Sequence, residues 1–261
     1  MTQKASYWDK VAGAWEGAHP QALWRVHSDA VNRELFGRWL ARSSESSLLK
    51  TDLFDEALSD GLYSLLASQA RQVYGMDLSA RILRMAGSRH RSLRSIVADV
   101  RSLPFNDSTF DVVVSNSTLD HFKSQEEIVI SLRELHRVLR PTGRLLLTLD
   151  NLANPVIALR QMLPFDLLKR LGILPYYVGT TFAPHHLCRV LQHLGFHVSE
   201  MGAVLHCPRM PAVVLCRLLA RYATSGTQRR FLRLLMAFEV LSRWPTRFFT
   251  GYFIVVNALR R

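Results

Sequence analysis

Short apolar runs alternate with amphipathic stretches through most of the chain. Leu48 to Phe54, Arg71 to Ser79, Ser95 to Ala98, Phe110 to Ser115 and Arg144 to Leu149 are of strand length, and each ends in or beside polar residues. Between them come helical patterns: Ser64 to Ala70, Ala80 to Arg89 behind Ser79, and a helix to Leu139 that opens on a Ser124–Glu127 capping box. Strand, helix and strand in succession predict a parallel sheet with crossover helices. Phe110 to Ser115 is apolar enough to be a central strand buried on both faces. Pro141-Thr142-Gly143 stops the helix before the fifth strand. Another helix follows Phe182 and runs to Leu194 with Gly195 as its stop, and Phe196 to Leu205 and Tyr252 to Leu259 supply two last strands.

The flanks carry different patterns. Residues 5 to 41 place Tyr7, Trp8, Trp15, Trp24, Phe36 and Trp39 among charged residues, which predicts two or three helices forming a lid anchored by aromatic rings. Ala41 to Ser47 reads as a polar linker. The expected organisation is a lid over 1–47, a ligand-binding core over 48–151, and substrate-side helices with the closing strands over 152–261. An insert, about 208–247, is nearly continuous in apolar residues and studded with Arg229, Arg230, Arg233 and Arg243. Two readings stand for it. It is a helical pair packed on the core, or a hydrophobic, basic surface that rests on anionic lipid or admits a lipophilic substrate.

Composition narrows this picture modestly. A chain of 261 residues with 48% hydrophobic and 21% charged residues is ordinary globular material, one α/β domain or a core with an insertion. No apolar run approaches the ~20 residues of a membrane span, and the first residues lack a leader's apolar segment, so a cytoplasmic protein with peripheral membrane contact is expected. Cys188, Cys207 and Cys216 show no CxxC spacing and read as free thiols. His185 and His186, adjacent on a helix, point in different directions, so no metal site is expected. The net charge of +12 is concentrated at the end, where ten arginines follow Pro208 against one acid, Glu239; the partner of that segment should be acidic. Arginines 81, 84, 89, 91, 94 and 101 read as a solvated face.

In parallel sheets ligands bind at the carboxyl ends of the strands. That edge gathers Asp52, Asp55, Asp77, Asp99, the run Asn116-Ser117-Thr118-Leu119-Asp120-His121, and Asp150-Asn151. The step from Asp52 or Asp55 to Asp77 is close to the ~20 residues expected between a phosphate-type loop and a ribose-binding acid. A carboxylate can accept from both ribose hydroxyls; the other role open to Asp77 is that of a cap beside Ser79. Asp120 with His121 is the one acid–base pair expected at this edge, and His121 can take a proton near neutral pH or pack beneath a ligand. The aromatic, proline-rich stretch from Pro164 to Gly179 is a candidate roof for a second substrate. No GxGxxG follows the first strand, which disfavours a nicotinamide enzyme.

Three pieces then resemble one family. Asp99 to Pro104-Phe105, Phe110-Asp111-Val112-Val113 and Arg137-Val-Leu-Arg-Pro-Thr-Gly143 are similar, in order and spacing, to segments of the class I S-adenosylmethionine-dependent methyltransferases, the methyltransferase type 11 domain, and within it the quinone-biosynthesis enzymes. The resemblance covers roughly 48 to 151. It implies a doubly wound, Rossmann-like sheet of seven strands and S-adenosyl-L-methionine as cofactor, with methyl transfer to a small or lipophilic acceptor. It implies further that Asp77 with Leu78 binds ribose, that Asp99 accepts from the adenine amino group while the Val100 N–H reaches a ring nitrogen, and that Asn116 lies under the methionine part. The chain departs from the family at the first turn. There an acid and three glycines are usual, whereas Asp52-Leu53-Phe54-Asp55-Glu56 leads to a single late Gly61. Asp52 and Asp55 remain able to hold the cofactor's amino end, and Gly61 to allow close approach. Two alternatives follow: a non-catalytic binding protein that has lost the glycine loop, and, from the arginine excess, an RNA methyltransferase, disfavoured for want of exposed aromatics and of any RNA-binding motif.

Overall fold

The computed structural model describes residues 3–16, 21–40, 43–174 and 176–261. Seven strands form one sheet: β1 (Ser43–Lys50), β2 (Ala70–Asp77), β3 (Arg94–Val97), β4 (Phe110–Asn116), β5 (Leu139–Asp150), β6 (Phe196–Val204) and β7 (Phe253–Arg260), in the order β3-β2-β1-β4-β5-β7-β6. All neighbouring pairs are parallel except those of β7, which runs antiparallel to both β5 and β6. The expected seven-stranded α/β fold is therefore present, and the order reverses between β1 and β4, opening a crevice at their carboxyl ends.

Alternation along the strands divides the core in two. Leu48, Val114, Leu146 and Val255 face one layer of helices, while Leu49, Val113, Leu145, Leu147 and Ile254 face the other. The first layer holds α1 (Gln3–Trp15), α2 (Ala22–Trp39), α3 (Phe54–Leu58), α4 (Tyr63–Gln69), α5 (Ala80–Arg89), α10 (Arg209–Tyr222) and α11 (Ser225–Ala237). The second holds α6 (Gln125–Val138) and α9 (Pro184–His193). Between β5 and α9 lie α7 (Pro155–Met162) and α8 (Phe165–Arg170), and α12 (Arg247–Thr250) precedes β7. Polar caps set the helix starts. Ser79 accepts from the Ile82 N–H at 3.1 Å, Ser124 from Glu127 at 3.4 Å, and Asn154 from Val156 at 2.9 Å, with Pro155 following it.

Three expectations change. The serine run before Leu48 is not a linker: residues 43–47 belong to β1, where the Ser47 N–H and hydroxyl both bond to Asp111, so sheet pairing overrides local composition; Ala41 and Arg42 lie outside the described residues. The first strand ends at Lys50 rather than Phe54, and the missed α3 begins at Phe54. The arginine face between 81 and 101 is only partly solvated. Arg81 pairs with Glu16, just past α1, Arg89 bonds to the Ala57 carbonyl at 3.0 Å, and Arg101 joins Asp99 and Glu127.

Candidate active site

The turn after β1 shows how the chain manages without glycines. Lys50, at the strand's end and 2% exposed, forms a 2.9 Å ion pair with Glu56, which is fully buried, and also donates to the Asp52 carbonyl. The Glu56 carboxylate accepts from the Leu62 N–H at 2.9 Å. Leu53 turns inward onto β2, where Gly75 makes room: a Cβ there would lie 2.7 Å from a Leu53 methyl. The loop thus packs against a glycine on the next strand instead of containing glycines itself. Gly61 holds a left-handed φ of 49° over Glu56 and its carbonyl accepts from Arg33 at 2.9 and 3.1 Å. It lines neither hollow described below, so the expected close approach of cofactor to Gly61 is not found; its place is structural.

At the carboxyl ends of the strands lies an inner hollow of about 590 Å³ of atom-free space, partly open to solvent. Asp52, Asp77, Leu78, Asp99 and Val100 line it, with Ile82, Thr118 and Phe122 around them and Trp8 of α1 at its rim. Asp77 accepts from the Leu53 N–H at 3.2 Å and the Ser79 N–H at 2.8 Å. It therefore braces the turn and the start of α5 at once, while its carboxylate borders the hollow. Burial, with Asp52 beside it, pushes its carboxyl up to about 8. Burial also raises Asp52, against the pull of Lys50. For Lys50 burial acts to lower the ammonium, and Glu56, Asp52 and Asp55 outweigh it. Asp52, Glu56 and Asp77 against one lysine leave this floor short of positive charge, which suits a cationic ligand. Asp99 reaches the hollow but is engaged on both oxygens by Arg101, from its N–H at 2.9 Å and its guanidinium at 2.5 to 3.2 Å. Asp99 thus borders the hollow and at the same time closes a turn onto the Arg101 N–H.

An outer hollow of about 680 Å³ adjoins the first and shares Trp8, Asp52, Phe54 and His121 with it. Its further walls are Asp55, Asn116, Asp120, Asp150, Arg160, Tyr176 and Arg209. Phe54 is a wall and not a plug: its ring packs edge-on against Trp15 at 5.3 Å and against Tyr176 at 6.3 Å. Asp55 is held by Arg25 at 2.8 Å, Asn116 accepts from Thr148 at 2.9 Å, and Arg160 pairs with Asp150 at 2.6 Å. His121 stands at the junction. Its Nδ1 lies 3.0 Å from the Tyr177 carbonyl oxygen, which can only accept, so Nδ1 carries the proton and Nε2 of the neutral ring is left as an acceptor. Trp8 packs edge-on at 4.8 Å and Tyr176 at 5.7 Å, which holds the ring. Asp120 Oδ1 is 3.8 Å from His121 Nε2 and is buried with no hydrogen-bond partner; burial pushes this carboxyl up to about 6, with His121 opposing.

Sequence reasoning missed Arg209 and Arg160 as site residues, whereas Tyr176 belongs to the Pro164 to Gly179 stretch expected as a roof. The Arg209 guanidinium lies over the rings of Trp24 and Tyr252 at 5.8 and 5.3 Å. In the sequence it is one basic residue among the ten arginines that follow Pro208. Nothing in its local pattern signals that α10 starts at the mouth of the cleft.

Residues 57–147 match the family described as "Methyltransferase domain", and the match begins just past the unusual turn. Demethylmenaquinone methyltransferase of Thermus thermophilus is 34% identical over 130 residues, 45% of this chain and 58% of that one. The Homo sapiens protein named "Probable tRNA methyltransferase 9B" is 31% identical over 93 residues, 36% of this chain and 20% of the other. The chain thus spans less than two thirds of these curated relatives. Among solved structures, the complex between the Haloferax volcanii Trm112 methyltransferase activator and a methyltransferase superposes with a TM-score of 0.61 at 15% identity, covering 96% of this chain and 97% of that one. Geranyl diphosphate C-methyltransferase of Streptomyces coelicolor, solved with S-adenosyl-L-homocysteine, gives 0.57 at 14% identity over 89% and 79%. These two show the shared fold.

Proposed function

We propose that this chain, a class I S-adenosylmethionine-dependent methyltransferase by family and by sheet order, transfers a methyl group to a small lipophilic acceptor. One observation carries the reading: His121 stands where an inner hollow bordered by carboxylates meets an outer hollow that combines the rings of Trp8, Phe54, Tyr176 and Phe253 with charged side chains, and its Nε2 is an acceptor there. Residues 48–151 then hold the cofactor, the helices of 1–47 cover it, and 152–261 form the acceptor side. The donor set fits S-adenosylmethionine. Its cationic groups answer the excess of buried acids around Asp52 and Asp77, Asp77 offers carboxylate oxygens to ribose, and Leu78, Val100 and Phe122 give an apolar slot for adenine with Asp99 at its edge. When bound, that cofactor supplies an electrophilic methyl group on a sulfonium.

The protein's share is alignment, exclusion of water and handling of one proton. Orientation of this kind supplies ~7–11 kcal/mol of the barrier in favourable cases. Trp8, Tyr176 and Phe54 close the cleft against solvent. His121 Nε2 would take the proton of an acceptor hydroxyl in the outer hollow when the sulfonium gives up its methyl group, its carbon–sulfur bond breaking to leave the neutral thioether. Asp120, with an unbonded oxygen 3.8 Å away, then stabilises the protonated ring. The lipophilic acceptor is favoured by relatives named for quinone substrates, and the rings of Trp8, Phe54, Tyr176 and Phe253 in the outer hollow offer it apolar contact beside the charged groups. Calorimetry with S-adenosylmethionine and S-adenosylhomocysteine, followed by transfer of labelled methyl to naphthoquinols of graded side-chain length, tests it. Both nucleosides should bind and longer chains should react faster. If neither binds, the chain is a binding protein that kept the sheet and lost the chemistry.

The relatives named as tRNA methyltransferases favour a second reading, methylation of an RNA base, and the arginine-rich segment adds to it. Labelled transfer to total tRNA with none to any naphthoquinol would replace the first reading with this one.

A further inference from the structure

Large apolar side chains left exposed are not scattered. Of nineteen among the described residues, fifteen fall within 156–171 and 210–249. On α10 the buried Ala212 and Cys216 face the core, whereas Met210, Val214, Leu218 and Tyr222 recur every fourth residue on the opposite side. Tyr222 is 73% exposed, and on α7 Met162 is 81% exposed. Monomeric soluble proteins rarely leave such a stripe uncovered without a partner.

Charge says what the partner is. Arg217 and Arg221 share the outward face of α10 with this stripe, Arg229, Arg230 and Arg233 follow on α11, and Lys169 and Arg170 end α8; all are exposed, and none has an ion pair among the described residues. Helices with aliphatic and aromatic side chains on the face that also carries arginines suit the headgroup layer of an anionic bilayer. RNA would use the arginines but would leave Leu218, Val214 and Met162 facing water. No helix among the described residues is long and apolar enough to cross a membrane, so contact would be with the surface. Position ties the face to the site: Arg160 of α7 and Arg209, the first residue of α10, line the same outer hollow, so both exposed helices contribute to its wall.

We propose that α7, α8 and α10 form a docking surface for anionic lipid, which brings the mouth of the outer hollow to the bilayer. This rests on the lipophilic-acceptor reading above, since a surface-bound enzyme would receive its acceptor from the membrane without releasing it to water. The test is flotation of the full chain with phosphatidylcholine vesicles, with and without phosphatidylglycerol. The variants are Leu218→Glu with Met162→Glu, and Arg217→Glu with Arg221→Glu. Wild type should float with anionic vesicles and lose about tenfold in partitioning without them, and each double variant should fall by about tenfold on anionic vesicles. All proteins should bind S-adenosylhomocysteine equally in calorimetry, which keeps a failure here apart from a failure of the cofactor reading. Equal partitioning with and without phosphatidylglycerol overturns the proposal. So does insensitivity to the two apolar substitutions, or salt-sensitive retention on tRNA with no flotation, which would hand the face to RNA.

Discussion

His121 and Asp77 are the residues on which chemistry and binding turn. His121→Gln should leave S-adenosylhomocysteine affinity within about twofold while lowering turnover ~10²–10⁴-fold with a hydroxyl acceptor, read as kcat against KM. Asp77 makes a signed prediction about protons. Its carboxyl stands near 8 in the free protein because burial and Asp52 disfavour its charge. A cofactor with cationic groups and ribose donors favours the carboxylate, so binding at pH 7 should release a proton. Calorimetry in buffers of different ionisation enthalpy would show it; a binding enthalpy independent of buffer would count against Asp77 facing the ligand. In the free protein the sign is the reverse of a salt-bridged acid. With the folded value raised above the unfolded one, this group's contribution to stability falls as pH climbs from about 4 to about 8. The place of Asp77 beside the inner hollow was legible in the sequence because an acid at the end of a parallel strand comes to the carboxyl edge of the sheet. Arg209 was not, because its importance comes from where α10 starts in space and not from its neighbours in sequence.

At the scale of elements, two contacts hold the site's loops. The Gly179 N–H donates to the Asp120 carbonyl at 2.7 Å and Thr180 to Phe122 at 2.8 Å, pinning the roof to the 3-10 turn Leu119–His121. A Cβ on Gly179 would stand 1.8 Å from the Phe122 carbonyl oxygen. Backbone lies on both sides, so Gly179→Ala should cost ~1–3 kcal/mol or more and displace His121, seen as a lower Tm together with lost turnover. The Lys50–Glu56 pair makes the other test. Lys50→Met alone strands a buried carboxylate and should cost ~3–5 kcal/mol, whereas Lys50→Met with Glu56→Gln, which keeps an acceptor for the Leu62 N–H, should recover most of it in denaturant unfolding. Most elements could be read from period and caps: α5 begins at Ala80 behind Ser79, and β7 closes the sheet, as the pattern implied. The turn after β1 could not, because α3 owes its place to a buried ion pair and to Gly75, which lies on another strand.

Across the whole molecule the lid and the sheet converge on one cleft. Trp8 and Trp15 come from α1, and Tyr7 accepts from the Tyr177 N–H at 2.7 Å, so α1 joins the 164–179 stretch directly. A ligand in the inner hollow should therefore stiffen α1. At 100 times its Kd it adds ~2.7 kcal/mol to global stability, and amide exchange over 3–16 should slow with it; exchange unchanged there would show that α1 does not sense the site. The overall architecture was legible because strand and helix alternate so regularly. The function of the insert was not, since an apolar, basic segment reads alike whether it is packed or exposed. The turn after β1 also limits how this chain can change. Leu53, Gly75, Lys50 and Glu56 are interlocked, so restoring the familiar glycines one at a time would open a void above Gly75 or leave a charge without its mate. Each intermediate would be less stable than either end. The path back to the common turn therefore runs through several simultaneous substitutions, and descendants of this protein should carry these four residues together or have replaced them together.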